Sequence, residues 1–232
     1  MQHKLTFVIY GAASDIVAPI FNYYKDADFI CLVNKSKPDY LSGLILETGS
    51  SDFEDQFIQA LSNISKDRML VFISAAVYQK DELFIQHSQA DISTMINVGI
   101  SQLLFISQTV VNEMIKRRMG RAINLSSFRA NSPTKGAAIY SAIKSFSNTF
   151  FSGLGIEYGR FDITSNSIAI GFAESKLLDN LKEEKINYFK QCIAKNKFLP
   201  NQEFLKVLDF IIRSKYFNAS VIDLNGGLEN LK

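Results

Sequence analysis

Tyr140 and Lys144 stand four residues apart in a stretch whose pattern predicts a helix over Ala138 to Tyr158, so both side chains leave one face. A phenol, with a pKa of about 10, exchanges protons poorly at neutral pH, and a neighbouring ammonium group favours its ionised form. Such a pair is suited to general acid–base chemistry. Thirteen positions before Tyr140, Ser127 ends the run Ala122-Ile123-Asn124-Leu125-Ser126-Ser127. That run reads as a buried strand delivering a hydroxyl at its carboxyl end, where open α/β sheets bind their ligands.

Residues so far apart need a scaffold, and the rest of the chain supplies one. Apolar runs at Leu5–Tyr10, Phe29–Val33, Leu44–Leu46, Met69–Ile73, Ala122–Leu125, Thr164–Ala169 and Val221–Leu224 alternate with helical patterns, among them a long one over Asp91–Met119. Continuous rather than alternating apolar runs belong to parallel strands covered on both faces. The reading is a single α/β domain over residues 1–232, a Rossmann-like doubly wound parallel sheet of about seven strands with helices on both faces. Only Asn34 to Gly43, with Pro38 among them, separates the second and third strands, less than a parallel crossover with a helix usually needs. The helix there is expected to be missing or reduced to a turn.

These motifs together resemble the short-chain dehydrogenase/reductase superfamily over nearly the whole chain. The resemblance rests on Asn97, Ser127 and Tyr140-Ser141-Ala142-Ile143-Lys144, with Gly11-Ala12-Ala13-Ser14-Asp15-Ile16 after the first strand. Further matches are Ser74-Ala75-Ala76 after the fourth strand, Gly171 to Ser175 after the sixth, and Asn225-Gly226-Gly227 near the end. It implies that Tyr140 exchanges a proton with the substrate oxygen and that Lys144 holds the nicotinamide ribose and lowers the Tyr140 pKa. Ser127 would hydrogen-bond the substrate oxygen, and Asn97 would hold water in a proton relay to Lys144. Gly11, Ala13, Ser14, Asp15, Ile16, Asn34, Lys35, Glu47, Ser74, Ala75, Ala76, Gly171 and Ser175 would line the cofactor together with Tyr140 and Lys144.

The chain departs from the family pattern at several places. Of three glycines in the nucleotide turn only Gly11 survives, with Asp15 and Val17 at the other two positions. Val17 replaces the glycine that permits close packing of helix on strand, so a shifted helix or a small residue opposite is expected. After the second strand, Asn34-Lys35-Ser36-Lys37 offers two lysines and no carboxylate, which favours NADP(H) over NAD(H). Ile170 stands where proline is usual, and Ser175 to Asn196 occupies the place of a substrate lid. Arg129 and Lys135, between Ser127 and Tyr140, can meet the phosphate of a substrate.

The function this implies is interconversion of a carbonyl and a secondary alcohol, resembling the 3-oxoacyl-carrier-protein reductase branch. Two alternatives stand beside it: a reductase of a nucleotide-linked or surface-polysaccharide sugar, and a binding or assembly module whose cofactor site has decayed. The partner is a small carbonyl or alcohol, free, carrier-bound or nucleotide-linked. A net charge of +2 points to neither nucleic acid nor a membrane surface, and with no apolar run of membrane length the expected location is the cytoplasm. Cys31 and Cys192 read as free thiols, and with only two histidines, His3 and His87, no histidine metal site is expected. Phe146, Phe150 and Phe151, with Ile100, Leu104 and Ile106, suggest helices with apolar surface to spare, and the resemblance implies a homodimer or homotetramer.

Overall fold

The computed structural model describes residues 4–174 and 182–228. Seven strands lie parallel: β1 (Leu5–Tyr10), β2 (Asp28–Val33), β3 (Leu44–Glu47), β4 (Met69–Ser74), β5 (Gly120–Ser127), β6 (Ile163–Ile170) and β7 (Val221–Leu224). Their order is β3-β2-β1-β4-β5-β6-β7. The sheet therefore grows one way from β1 to β3 and the other from β4 onward, and the switch between β1 and β4 opens a crevice at the strand ends. The helices are α1 (Ala18–Tyr23), α2 (Phe53–Ser62), α3 (Gln89–Ile96), α4 (Gln102–Arg117), α5 (Ala138–Tyr158), α6 (Glu183–Gln191) and α7 (Asn201–Arg213).

Alternate strand residues enter opposite faces of the sheet. Phe7 and Ile9 join Val71 and Ile73 on the face covered by α1 and α7, whereas Val8 and Tyr10 join Leu70 and Phe72 under α2, α4 and α5. Helical spacing gives α7 its buried stripe of Phe204, Leu205, Leu208, Ile211 and Ile212. Each such side chain contributes about 1.5–3 kcal/mol on burial. The result is a site carried on strand ends that two packed layers hold still.

The single helix expected over Asp91–Met119 is interrupted: α3 and α4 are joined through a π turn at Asn97–Ser101. Two tertiary contacts account for the break. Gly99 in the turn lies against Ile143 of α5, where a Cβ would run into the isoleucine side chain. From the other side, the buried Tyr10 hydroxyl reaches the Val98 carbonyl at 2.8 Å and Gln102 Oε1 at 2.9 Å. The stretch Gln89–Arg117 is long and apolar enough to cross a bilayer, yet Leu103, Ile106, Val110 and Met114 are buried in the core.

The nucleotide turn adjusts as Val17 requires. A 3-10 turn occupies Asp15–Val17, the α-helix proper starts only at Ala18, and Val17 is fully buried. Gly11 keeps its role, since it has φ +84° and a Cβ there would lie 2.5 Å from Ala76 Cα and 2.7 Å from Ala75 C. Gly11→Ala is therefore expected to lose about 2 kcal/mol of stability through backbone strain and overpacking, read as a lower urea midpoint at unchanged slope.

Between β2 and β3 no helix forms, as the short spacing implied. Tyr40 of this connection packs on Phe21 of α1, with ring centroids 5.7 Å apart. Its hydroxyl lies 3.3 Å from the carbonyl oxygens of Ala12 and Ser14. Burial pushes the Tyr40 phenol up to about 12, so it stays protonated and able to donate. A single tyrosine thus braces the nucleotide turn where a crossover helix is absent.

Candidate active site

Ser127 is the last residue of β5 and is buried. Its Oγ accepts from the Arg129 amide at 3.2 Å, and the Ser127 hydroxyl favours the ionised form of the Tyr140 phenol. One turn further along α5, Lys144 is buried, donates from Nζ to the Leu125 carbonyl at 2.8 Å, and lies 6.0 Å from the centre of the Tyr140 ring. The strand end and the helix therefore bring together the hydroxyl, phenol and amine expected from the sequence.

The electrostatics differ from the expectation that Lys144 acidifies Tyr140. Burial raises the Tyr140 pKa above the ordinary phenol value, while the Ser127 hydrogen bond and the Arg129 charge pull it part of the way back. Burial also brings Lys144 down to about 8. Both groups are short of water, so each leans toward its neutral form. The cation that favours the phenolate in this arrangement is Arg129.

Next to Lys144 is a small cavity of about 10 Å³, lined by Tyr140, Lys144, Ser74, Asn124 and Ser147. That is close to the least volume able to hold one water. Asn97, expected to serve a relay to Lys144, is instead exposed in the π turn and is not among the residues lining this cavity. The buried amide at Lys144 is Asn124, whose Nδ2 donates to Ser147 Oγ and Ser167 Oγ, each at 3.1 Å. Asn97 opens the π turn and lines the cleft.

The cleft itself has a volume of about 590 Å³ and shares Tyr10, Ala76, Val77, Tyr78 and Val98 with the small cavity. Gly11, Ala13, Ser14, Asn34, Ala75, Ala76 and Asn97 line it, whereas Ser74 faces Lys144. Asp15 and Ile16 are in the 3-10 turn and not among the lining residues, and Lys35 is exposed outside it. Glu47 is corrected: it pairs with Lys37 at 2.6 Å in a half-exposed salt bridge, and Thr48 and Gly49 line the cleft in its stead. Strand alternation explains the swap, because Leu46 points inward and Glu47 therefore points out. Gly171 packs on the chain itself, since a Cβ there would lie 2.8 Å from Asn225 Cα. Ser175 lies outside the described residues.

Tyr10, Gly49, Thr94 and Gln102 also line the cleft, and Asp81 lies beside Arg129, none of them marked by the sequence pattern. A tyrosine ending β1 immediately before Gly11 was the one local signal available. At the substrate side, Phe128 follows Ser127 and meets Phe172 with ring centroids 5.6 Å apart, and Phe189 of α6 stacks on Phe172 at 4.5 Å. Part of the segment expected to form a lid is thus docked beside the site; Leu177, Leu178 and Leu181 lie outside the described residues. Of the helical residues expected to be spare, Phe151 and Ile106 are core, while Leu104 is exposed.

A cleft of this volume falls within the ~300–1,000 Å³ of small-molecule sites, and it opens at the topological switch point. With Gly11, Ala13, Ser14, Asn34, Thr48 and Gly49 lining it, the residues present fit a dinucleotide. Residues 48–186 match the short chain dehydrogenase family, and the chain belongs to it. Among its relatives is a 3-oxoacyl-acyl-carrier-protein reductase of Buchnera aphidicola subsp. Baizongia pistaciae. It is 28% identical over 163 residues, which are 69% of this chain and 66% of the relative, slightly under two thirds of its length. The Rickettsia bellii reductase of the same name is 22% identical over 96% of both chains. The fold is shared with a Serratia marcescens short-chain dehydrogenase/reductase (TM-score 0.80, 20% identity, 97% of this chain and 98% of that one). An actinorhodin polyketide ketoreductase with NADPH shares it too (TM-score 0.82, 16% identity, 98% of both chains).

Proposed function

We propose that this chain is an NADP(H)-dependent oxidoreductase that interconverts a ketone and a secondary alcohol, with Tyr140 as the acid and base. The observation that carries the reading is that Tyr140 and the buried Lys144 line one cavity, with the amine 6.0 Å from the phenol ring, while Ser127 at the end of β5 acts on the same phenol. When bound, the nicotinamide supplies the hydride. Ser127 would orient the substrate oxygen, and Tyr140, kept protonated by burial, would donate to that oxygen as the new C–H bond forms. Lys144 would hold the ribose and keep a positive charge below the reacting oxygen. Phe128 and Phe172 would keep water from the substrate side.

Relatives named for reduction of a 3-oxoacyl group on an acyl-carrier protein support a 3-oxoacyl-like substrate class, and the expected place of action is the cytoplasm. Exposed Leu104 on α4 and Ile156 on α5 suit paired copies of the chain. The test is titration with NADPH and NADH, followed by cofactor oxidation against a panel of acyl thioesters, nucleotide sugars and small ketones. Micromolar binding with ketone-dependent oxidation supports the reading; no binding at millimolar cofactor leaves only a module with a decayed site.

Cofactor choice makes a separate prediction. Lys35 is exposed with no partner among the described residues, and Lys37 is held only by the half-exposed Glu47. An exposed pair of that kind is worth about 0–1 kcal/mol, so both lysines are free to meet a 2'-phosphate. Lys35→Ala is expected to weaken NADPH about tenfold and NADH less than twofold. Equal weakening of the two, measured by fluorescence titration, would remove the basis for the preference.

A further inference from the structure

Resting on the reductase reading, we infer that the substrate carries an anionic group, a carboxylate or a phosphate, which takes Arg129 from Asp81 on binding. Arg129 follows Ser127 by two residues in the 3-10 turn Phe128–Ala130, so the guanidinium is anchored to the same turn as the substrate-orienting hydroxyl. Its side chain is only 19% exposed, and Nη1 meets the Asp81 carboxylate at 3.1 and 3.3 Å. Asp81 comes from the loop after β4 and is 47% exposed. The Arg129 amide donates to Ser127 Oγ at 3.2 Å, which places the pair at the reacting end of the site, and both charges act on the Tyr140 phenol there.

The arrangement suits exchange better than a permanent tie. Nη1 is the only guanidinium nitrogen engaged among the described residues, leaving a planar fork of donors that matches a carboxylate or phosphate. Asp81 also accepts from Gln79 Nε2 at 2.8 Å and faces solvent, so release does not orphan it. The other charges of that loop satisfy one another, with Lys80 bridging Glu82 at 3.1 Å and Asp91 at 3.0 Å. Meanwhile the Glu82 amide donates to the Gly136 carbonyl at 3.0 Å, so the two loops stay joined without the ion pair. An incoming anion gains a mostly covered cation for the loss of one solvent-facing contact. A neutral ketone gains nothing there, and the difference is specificity.

Each of a series of keto acids of increasing chain length would be assayed beside its methyl ester, and ketone phosphates beside the unphosphorylated ketones. The full chain is used with NADPH, as wild type, Arg129→Gln and Asp81→Asn. The readout is the ratio of kcat/KM for the charged over the uncharged member. Arg129→Gln is expected to lower that ratio about tenfold for the best pair and Asp81→Asn to raise it several-fold, with KM carrying both changes. Opposite movement is the signature, and the arm that moves says whether a carboxylate or a phosphate is read. If both substitutions shift the ratio the same way, or neither shifts it, the pair only ties two loops and the inference is overturned. Calorimetric affinities for the same pairs separate the two readings. Should no ketone be reduced while affinity ratios still move in opposite directions, the reductase reading falls and the anion site stands.

Discussion

Tyr140→Phe is expected to lower kcat for ketone reduction by about 10³-fold, within the ~10²–10⁴ that a positioned general acid contributes. The affinity for NADPH should change by less than tenfold. The large effect follows from burial, because Tyr140 in this chain is shifted away from ionisation and arrives at neutral pH as a donor ready to give its proton. Phenylalanine keeps the ring and its packing on α5, so only the proton is removed. Ser127 retains the Arg129 amide as donor and is not left unsatisfied, which limits the stability change to about 1 kcal/mol. Stopped-flow oxidation of NADPH beside urea unfolding checks both halves. A variant retaining more than a tenth of wild-type kcat would mean that another group supplies the proton.

The sequence showed the chemistry better than the electrostatics, and the reason is distance along the chain. Ser127, Tyr140 and Lys144 fall on one strand end and one helix, so helical spacing and an apolar run suffice to place them. The missing crossover helix was equally readable, because the length of a connection is a local property. The partners of Arg129 and Tyr10 were not. Arg129 meets a carboxylate 48 residues away, and Tyr10 reaches a carbonyl 88 residues away. The π turn at Asn97–Ser101 was hidden for the same cause: the glycine that permits it is local, but Ile143 and Tyr10, which press on it, are not. Asn97, which begins that turn, lines the cleft and not the small cavity beside Lys144. Glu47 failed by a single residue in a strand, where one step exchanges inward for outward.

Lys144 shows function and stability in opposition, and Lys144→Met should abolish reduction while making the folded chain more stable at pH 7. The lysine is buried and its pKa is lowered to about 8 by loss of hydration. Below that value the ammonium is present in both folded and unfolded chains, and its burial costs about 3 kcal/mol when the shift from 10.5 is converted at 1.36 kcal/mol per unit. Methionine removes the cost but strands the Leu125 carbonyl that Nζ satisfied, which returns about 1–2 kcal/mol. The net gain at pH 7 is therefore about 1–2 kcal/mol. As pH rises from about 8 toward 10.5 the folded chain sheds this proton first and the unfolded chain binds more, so wild-type stability rises through that window. The advantage of the variant should accordingly shrink by about 2 kcal/mol between pH 7 and pH 10, reaching zero or reversing. Urea unfolding of both proteins at the two pH values measures this directly. A pH-independent gap would show that the amine keeps an ordinary pKa in the folded chain, so that burial imposes no cost for methionine to relieve.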